Sequence, residues 1–290
     1  MQIVFNILIL FSIYSLIGLS FSLIYYTSKA FYLSHAAIIS LGAYFTYLFN
    51  QNLTFPFYVS ITFAIILSIF FSLFLEILIY KPLRGRINHS FLLLIASLGV
   101  YIVLQNIISL VWGDAPLNIR IIEIKPGYHV LGAYITTTQF VIIAINLLAF
   151  LVNVFFYNNS KLGKKIRSIS TNNELAKVFG INPNNVIIWT NIIGSCLAAI
   201  AGILVAYDTN LRSTMGFNLL LYGIVAMIIG GVGSIWGLLS GAFLLASLQQ
   251  IGAIYIDSKW MEAIAYIILI LFLIWKPLGF SGLKLKKTEI

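Results

Sequence analysis

Ser160-Lys-Leu-Gly-Lys-Lys-Ile-Arg-Ser-Ile-Ser-Thr171-Asn-Asn-Glu174-Leu-Ala-Lys-Val-Phe-Gly180-Ile-Asn-Pro183 is a basic, polar island between two long apolar runs. Its spacing predicts a short capped helix. Thr171 and Glu174 stand in the Thr-x-x-Glu relation, in which the hydroxyl takes one end amide and the carboxylate reaches back to another, so the helix is expected to begin near residue 172. Gly180 stops it, and Asn182 followed by Pro183 supplies an N-cap and a first-turn proline for the next apolar helix. The stub carries Leu175, Ala176, Val178 and Phe179, an apolar face that a lone surface helix gains nothing by displaying. A partner protein is the expected recipient.

Outward from the island the chain is apolar, with 61% hydrophobic and 9% charged residues and a mean hydropathy of +1.02; soluble domains carry about a quarter charged residues. No Asp, Glu, Lys or Arg occurs between Ala30 and Leu75, between Val178 and Tyr207, or between Ser213 and Ile256, and each run exceeds the roughly 20 residues that span hydrocarbon. Barrel strands would show segments of about ten residues with alternate polar side chains, so the class is all-α, a polytopic membrane helix bundle. Spans are expected near residues 3–27, 31–50, 57–80, 90–112, 139–157, 184–207, 217–231, 235–256 and 260–276. The segment 31–50, rich in Ser, Ala, Gly and Tyr, either crosses or re-enters, giving nine spans or eight.

Three basic clusters face the cytoplasm under the positive-inside rule: Lys81, Arg84 and Arg86; Lys161, Lys164, Lys165, Arg167 and Lys177; and Lys276, Lys284, Lys286 and Lys287. Asp114, Glu123, Asp208 and Asp257 fall in the other links, and nine spans with the N-terminus outside satisfies every loop. The first apolar run has no positive n-region and no clear cleavage site, so it reads as a span. Cys196 stands alone, which gives no disulfide, metal or redox inference. The net charge of +9 is accounted for by the orienting loops, and nucleic acid is not an expected partner. The link from Gly113 to Thr138, with Pro116, Pro126, Gly127 and Gly132, is expected to lie folded on the outer surface, as a connector or as a docking surface for an external partner.

Few side chains within the spans can carry chemistry. His35 lies in the longest charge-free stretch, where a polar group faces either a bundle interior or a wet path; a buried histidine satisfied by a backbone carbonyl is the commoner arrangement. Gln105 and Asn106 are suited to line a lumen or to bridge two helices, and Gln249 and Gln250 raise the same pair of readings. Gly230, Gly231 and Gly233 interrupt an apolar run, either as a break beside a substrate path or as a packing face that Gly237 and Gly241 continue. Glu76 stands one turn from Tyr80 and beside Lys81, an interfacial polar group with a structural explanation, while Arg84 and Arg86 are placed at headgroup level to meet anionic lipid or, as the less expected partner, the ATPase. No nucleophile-and-base set, carboxylate pair or metal cluster is discernible, and without a Gly-x-x-x-x-Gly-Lys-Ser/Thr loop any ATP is hydrolysed elsewhere. Neither catalytic residues nor cofactors are expected.

The island resembles the cytoplasmic loop of permease subunits in ATP-binding-cassette importers, whose Glu-Ala-Ala-x-x-x-Gly signature forms the coupling helix that docks on the ATPase. Here it reads Glu174-Leu-Ala176-Lys-Val-Phe179-Gly180. Among those importers the branched-chain (hydrophobic) amino acid permease family is similar in order along nearly the whole chain. The matching positions are Leu33-Ser34-His35-Ala36, Gly42-Ala-Tyr44, Glu76-Ile-Leu-Ile-Tyr80-Lys81-Pro82-Leu83-Arg84, Leu98-Gly99 on to Leu104-Gln105-Asn106, Gly163 with basic neighbours, Gly230-Gly231-Val-Gly233-Ser234, and Lys276-Pro277-Leu-Gly279. Departures fall at Leu33-Ser34, where the family has Asn-Phe, at Ala36-Ala37, where it has Gly and an acidic residue, and at Tyr222, where many members carry lysine.

The resemblance implies a single permease domain over residues 1–290 in the cell's inner (plasma) membrane, with a coupling loop at 160–183. It implies import of branched-chain or other small, largely apolar amino acids, two cytoplasmic ATP-binding subunits, a second related permease as heterodimer partner and an external substrate-binding protein. Glu174, Ala176, Phe179 and Gly180 become the ATPase-coupling residues; His35, Gln105, Asn106, Gly230, Gly231 and Gly233 are the candidate pathway. A urea or short-amide importer is the close alternative. A stand-alone secondary transporter or channel would need coupling carboxylates in mid-span, and of the eight acids only Glu76 approaches such a place. The orientation is directly testable: with Cys196 replaced, Lys165→Cys and Leu285→Cys should resist an impermeant thiol reagent added to intact cells, and Arg120→Cys should react. Labelling at position 165 from outside would overturn it.

Overall fold

The computed structural model describes residues 1–85, 89–119, 127–130 and 132–281. α1 (Gln2–Ser28) is an uncharged 27-residue helix closed by Lys29 in the left-handed region at φ 54°. An irregular stretch then leads into α2 (His35–Tyr47), which is prolonged by a π turn to Asn52. α3 (Phe57–Leu75) starts behind Pro56 and runs through a second π turn, Glu76–Tyr80, into the single turn α4 (Lys81–Leu83). α5 (His89–Trp112) is followed by a short antiparallel hairpin, β1 (Tyr128–Val130) and β2 (Ala133–Ile135). α6 (Thr137–Asn159) opens on a capping box formed by Thr136 and Gln139. Then come α7 (Lys161–Thr171), α8 (Asn173–Val178), α9 (Pro183–Asp208), α10 (Met215–Gly230), α11 (Ile235–Tyr255) and α12 (Met261–Trp275).

Each of the nine expected spans corresponds to an apolar helix. Seven of these, among the described residues, are long and apolar enough to cross a membrane; α10, of 16 residues, is shorter, and α2 has only 13. The short pair lies inside the bundle. α2 is buried from His35 to Thr46, whereas α3, α5, α6 and α12 turn large side chains such as Phe70, Phe91, Leu110, Phe155 and Ile274 outward, as helices that face lipid or a second subunit do. Helix ends at membrane depth are tolerated where protein satisfies them; the Gly216 amide at the start of α10 donates to Ser40 Oγ at 3.1 Å. The expected span at 31–50 therefore begins later, at His35. The residues ahead of it are irregular because side chains hold them: the Leu33 amide donates to Ser97 Oγ at 3.0 Å, and that hydroxyl donates to the Phe31 carbonyl at 3.1 Å.

α1 and α9 form the centre, with α2, α10 and α11 packed around them. These contacts are backbone-close. A Cβ at Gly42 would lie 2.7 Å from Ala199 Cα, one at Gly194 would lie 2.8 Å from the Ser20 carbonyl oxygen, and one at Gly202 would collide with the Ile39 carbonyl. At the far end, Gln2 exchanges two hydrogen bonds with the Tyr134 backbone, at 2.9 and 3.2 Å, and Leu117 bridges Leu211. The chain start and the residues around Tyr134 thus share one end of the bundle, as the loop parity requires; Arg120, Glu123 and Pro126 fall outside the described residues.

The capping of the island differs from expectation. Residues 161–171 are themselves helical, so Thr171 ends α7 and its hydroxyl donates to the Arg167 carbonyl at 2.9 Å. The cap of α8 is Asn172, extended at φ −153° and accepting from the Leu175 amide at 3.0 Å. Ile166 and Ile169 explain the shift: α7 forms because it buries them, and the cap passes to the first residue outside it. The terminator holds as read, with Gly180 at φ 76° and Asn182 capping α9.

Substituting Gly202 by Val tests the central crossing. Overpacking of this kind costs about 1–3 kcal/mol or more, read as a lowered thermal unfolding temperature in detergent. Gly99→Ala, which has open space around its Cβ, should leave that temperature unchanged or higher.

Candidate functional site

The island is built as a platform. Ser160 Oγ accepts from the Gly163 amide at 2.8 Å and starts α7, and a Cβ at Gly163 would strike the Phe156 and Tyr157 carbonyls, so α7 folds back tightly under α6. Arg167 donates to the Tyr157 carbonyl and, at 3.4 Å, to that of Asn158, capping the last turn of α6. Lys29 Nζ reaches Ser170 Oγ at 3.5 Å and links α7 to the end of α1; burial lowers its pKa. Ile166, Ile169, Ala176 and Val186 close a small core, with Phe156, Tyr157, Leu162 and Ile181 around it.

On that platform α8 is short but closed at both ends. The Ile181 amide donates to the Ala176 carbonyl at 3.0 Å and the Gly180 amide to the Lys177 carbonyl at 2.9 Å, the paired bonds of a Schellman stop. The four coupling residues do not share a face. Ala176 is buried and anchors the helix, while Phe179 is 77% exposed, beside Val178 at 82% and Leu175 at 54%. Glu174 points outward and pairs with Lys177 at 2.8 Å. Sequence reasoning missed Asn172, Lys29 and the Ile166/Ile169 pair; the last was legible as an apolar i, i+3 stripe inside the basic run.

A buried polar cluster lies where α3 and α4 meet the start of α9. Glu76 pairs with Arg84, not Lys81, and its second oxygen accepts from Asn191 Nδ2 at 3.0 Å. Arg84 also donates to Tyr32 OH at 3.0 Å and to Asn184 Oδ1 at 3.1 Å. Its expected place among the headgroups is therefore corrected: a buried carboxylate needs a cation, and Arg84 turns in to supply it. Arg86 lies outside the described residues. The Tyr80 hydroxyl donates to Ser34 Oγ at 2.5 Å, and the Tyr80 ring stacks on Tyr32 at 4.5 Å.

Beside this cluster Ser34, His35, Ser72, Tyr80 and Asn191 help to line a small pocket of about 10 Å³, a volume at the threshold for one water. His35 is buried, with Nε2 3.0 Å from Ser20 Oγ, a hydroxyl in place of the carbonyl expected for it. Asn106 is elsewhere, exposed on α5 and bonded to its own helix at the Ile102 carbonyl, 2.8 Å away, with Gln105 half-buried next to it. His35 is thus not brought together with the α5 amides. Gly230, Gly231 and Gly233 form the turn between α10 and α11, with Gly231 and Gly233 at φ 97° and 106°. The amides of Phe280 and Ser281 donate to the Ile229 and Gly230 carbonyls there, at 3.0 and 3.1 Å. The break is real, but it stands at a helix end and serves packing too, since a Cβ at Gly230 would collide with the Gly237 carbonyl.

The Glu76–Arg84 pair predicts strong non-additivity. Either Glu76→Ala or Arg84→Ala leaves a buried charge uncompensated and should cost about 3–5 kcal/mol. The double variant should be less destabilised than the sum, measured by thermal unfolding in detergent; additive losses would mean that the pair is not coupled.

Comparison with known proteins is consistent along most of the chain. The family described as branched-chain amino acid transport system / permease component matches residues 3–273. The high-affinity branched-chain amino acid transport system permease protein LivH of Escherichia coli (strain K12) is 28% identical, covering 97% of this chain and 95% of that protein. BraD of Pseudomonas aeruginosa, a permease protein of the same description, is 30% identical over 71% of this chain and 68% of its own length. The solved structure of PsaBC from Streptococcus pneumoniae in complex with Fab shares the fold, with a TM-score of 0.51 at 12% identity over 94% of this chain and 90% of that one. With its all-α bundle and apolar spans, this chain belongs to the family of permease components of branched-chain amino acid transport systems.

Proposed function

We propose that this permease subunit of an ATP-driven importer moves branched-chain amino acids into the cytoplasm, with α7 and α8 as the seat of one of two ATP-binding subunits. The observation that carries the docking role is the exposed Leu175, Val178 and Phe179 triad on a helix fixed from behind by Ala176. A six-residue helix has no stability of its own. Here its caps and its anchor make it a rigid projection, which a coupling element needs. Displacement of α8 by a closing ATPase would be passed through the Ile166–Ala176–Val186 core to the first turn of α9, and through Arg167 and Lys29 to the ends of α6 and α1. Of these, α1 and α9 are the helices around which the bundle is packed.

The substrate assignment rests on the relatives, which are branched-chain amino acid permeases by name. In this reading the pathway runs between two related permease subunits, and an external binding protein delivers the amino acid. A path between subunits is lined by outer faces, which suits the exposed Asn106 and its neighbour Gln105. Buried His35, engaged by Ser20, then acts in packing. Neutral amides make only weak, transient contacts with a zwitterion, so selection falls to the binding protein.

Phe179→Ser and Gly180→Val should each lower amino acid uptake by reconstituted importer at least tenfold, with membrane insertion unchanged and ATP hydrolysis no longer stimulated by loaded binding protein. The first removes the projecting ring; the second puts a β-branched residue at positive φ, a conformation it avoids. Normal uptake by both variants would exclude α8 as the coupling element.

A further inference from the structure

Outside the apolar triad, the platform carries a second feature, a lysine row whose charge orients the chain and is also placed to meet a partner. Lys161, Lys164 and Lys165 occupy the exposed face of α7, at i, i+3 and i+4. Among the described residues no carboxylate pairs with them. The other charges of the island are engaged: Arg167 turns back to the end of α6, and Glu174 and Lys177 neutralise each other. The exposed side of the island is thus a row of three free ammonium groups followed, on the next helix, by three apolar side chains. Both groups stand on the outer sides of the one small core that Ile166, Ile169 and Ala176 fill from within.

We propose that the docked ATPase meets this surface in two parts, with an apolar socket for Leu175, Val178 and Phe179 and a rim of carboxylates facing Lys161, Lys164 and Lys165. The inference rests on α8 being the ATPase seat and adds the chemistry of its partner. Charge complementarity selects an acidic partner surface, because a neutral or basic one would leave three ammonium groups opposed by nothing or by like charge. Anionic lipid is the less fitting occupant. The apolar face of α7 is enclosed by its own chain, so α7 cannot insert as an interfacial helix does. Lipid could hold the lysines only by headgroup charge, leaving the adjoining apolar triad uncovered. The division of labour follows: rim charges speed and steer association in a salt-sensitive way, whereas the apolar core governs how long the complex lasts.

The test uses the full-length permease with its partner subunits in nanodiscs of phosphatidylcholine alone, and measures binding of the purified ATPase from the same transport system at low and high salt. The triple variant Lys161→Gln, Lys164→Gln, Lys165→Gln should associate about tenfold more slowly at low salt and should lose most of the salt dependence. Phe179→Ser should weaken binding equally at both salt concentrations. If the triple variant matches the parent in rate and salt dependence while Phe179→Ser still weakens binding, the acidic rim is wrong and the docking site stands. If neither variant has an effect, the docking site itself is wrong. A difference that appears only when phosphatidylglycerol is added to the nanodiscs would assign the lysines to lipid and overturn the proposal.

Discussion

The crossing of α2 over α9 depends on an approach so close that the Gly202 backbone lies against the Ile39 carbonyl and Gly42 against the backbone of Ala199. Between helices in lipid there is no hydrophobic drive, so association rests on van der Waals fit and hydrogen bonds. Larger residues at these points would lift α2 off the centre. The α-helical part of α2, 13 residues from His35 to Tyr47, reaches only about 20 Å, and its π-turn extension ends in the polar run Asn50-Gln51-Asn52, so it is poorly suited to cross hydrocarbon by itself. α2 is stable as the inner element of a bundle whose longer helices supply its walls, and the same holds for α10, whose Gly216 touches the Ala36 carbonyl.

Once α2 begins inside the protein, the chain before it must run from the end of α1 back into the bundle without helical hydrogen bonds. Polar side chains make that possible. Ser97 holds Phe31 and Leu33, Tyr80 holds Ser34, and Arg84 holds Tyr32. Glu76 has its place in this arrangement as the counter-charge that fixes Arg84, and Asn191 brings α9 into the same network. The cluster is therefore a joint between the irregular stretch, the end of α3 and the start of α9. A joint of this kind needs geometry more than net stabilisation, since a buried pair gains little over apolar residues of the same size but is costly to break singly.

Much of this was legible in the sequence, and the gaps have physical causes. The spans, the Gly180 stop and the Asn182-Pro183 start are local signals, and they hold because hydropathy and capping act over a few residues. Thr171 misled because the same residue was offered two environments, and the burial of Ile166 and Ile169 decided between them. Glu76 reads as interfacial in the sequence for a related reason: Lys81, the nearer cation along the chain, stays exposed, whereas Arg84 comes inside once the chain turns after Leu83. His35 and Asn106 were grouped by polarity alone. Only packing separates an imidazole sealed against Ser20 from an amide on the outer flank of α5.

The platform shows how a small element acquires a fixed direction. In α8 the Asn172 cap, the Gly180 stop and the inward Ala176 leave one side free, so its orientation follows from α7 and not from its own sequence periodicity. α7 in turn is held by Ser160 and Gly163 under α6, by Lys29 at α1 and by the shared core at α9. A force on Phe179 is then opposed at three separate helices, so it turns the platform together with their ends and does not simply unwind α8. Because α1 and α9 are packed backbone to backbone with α2 and α10, movement at those ends is carried into the interior as displacement of whole helices.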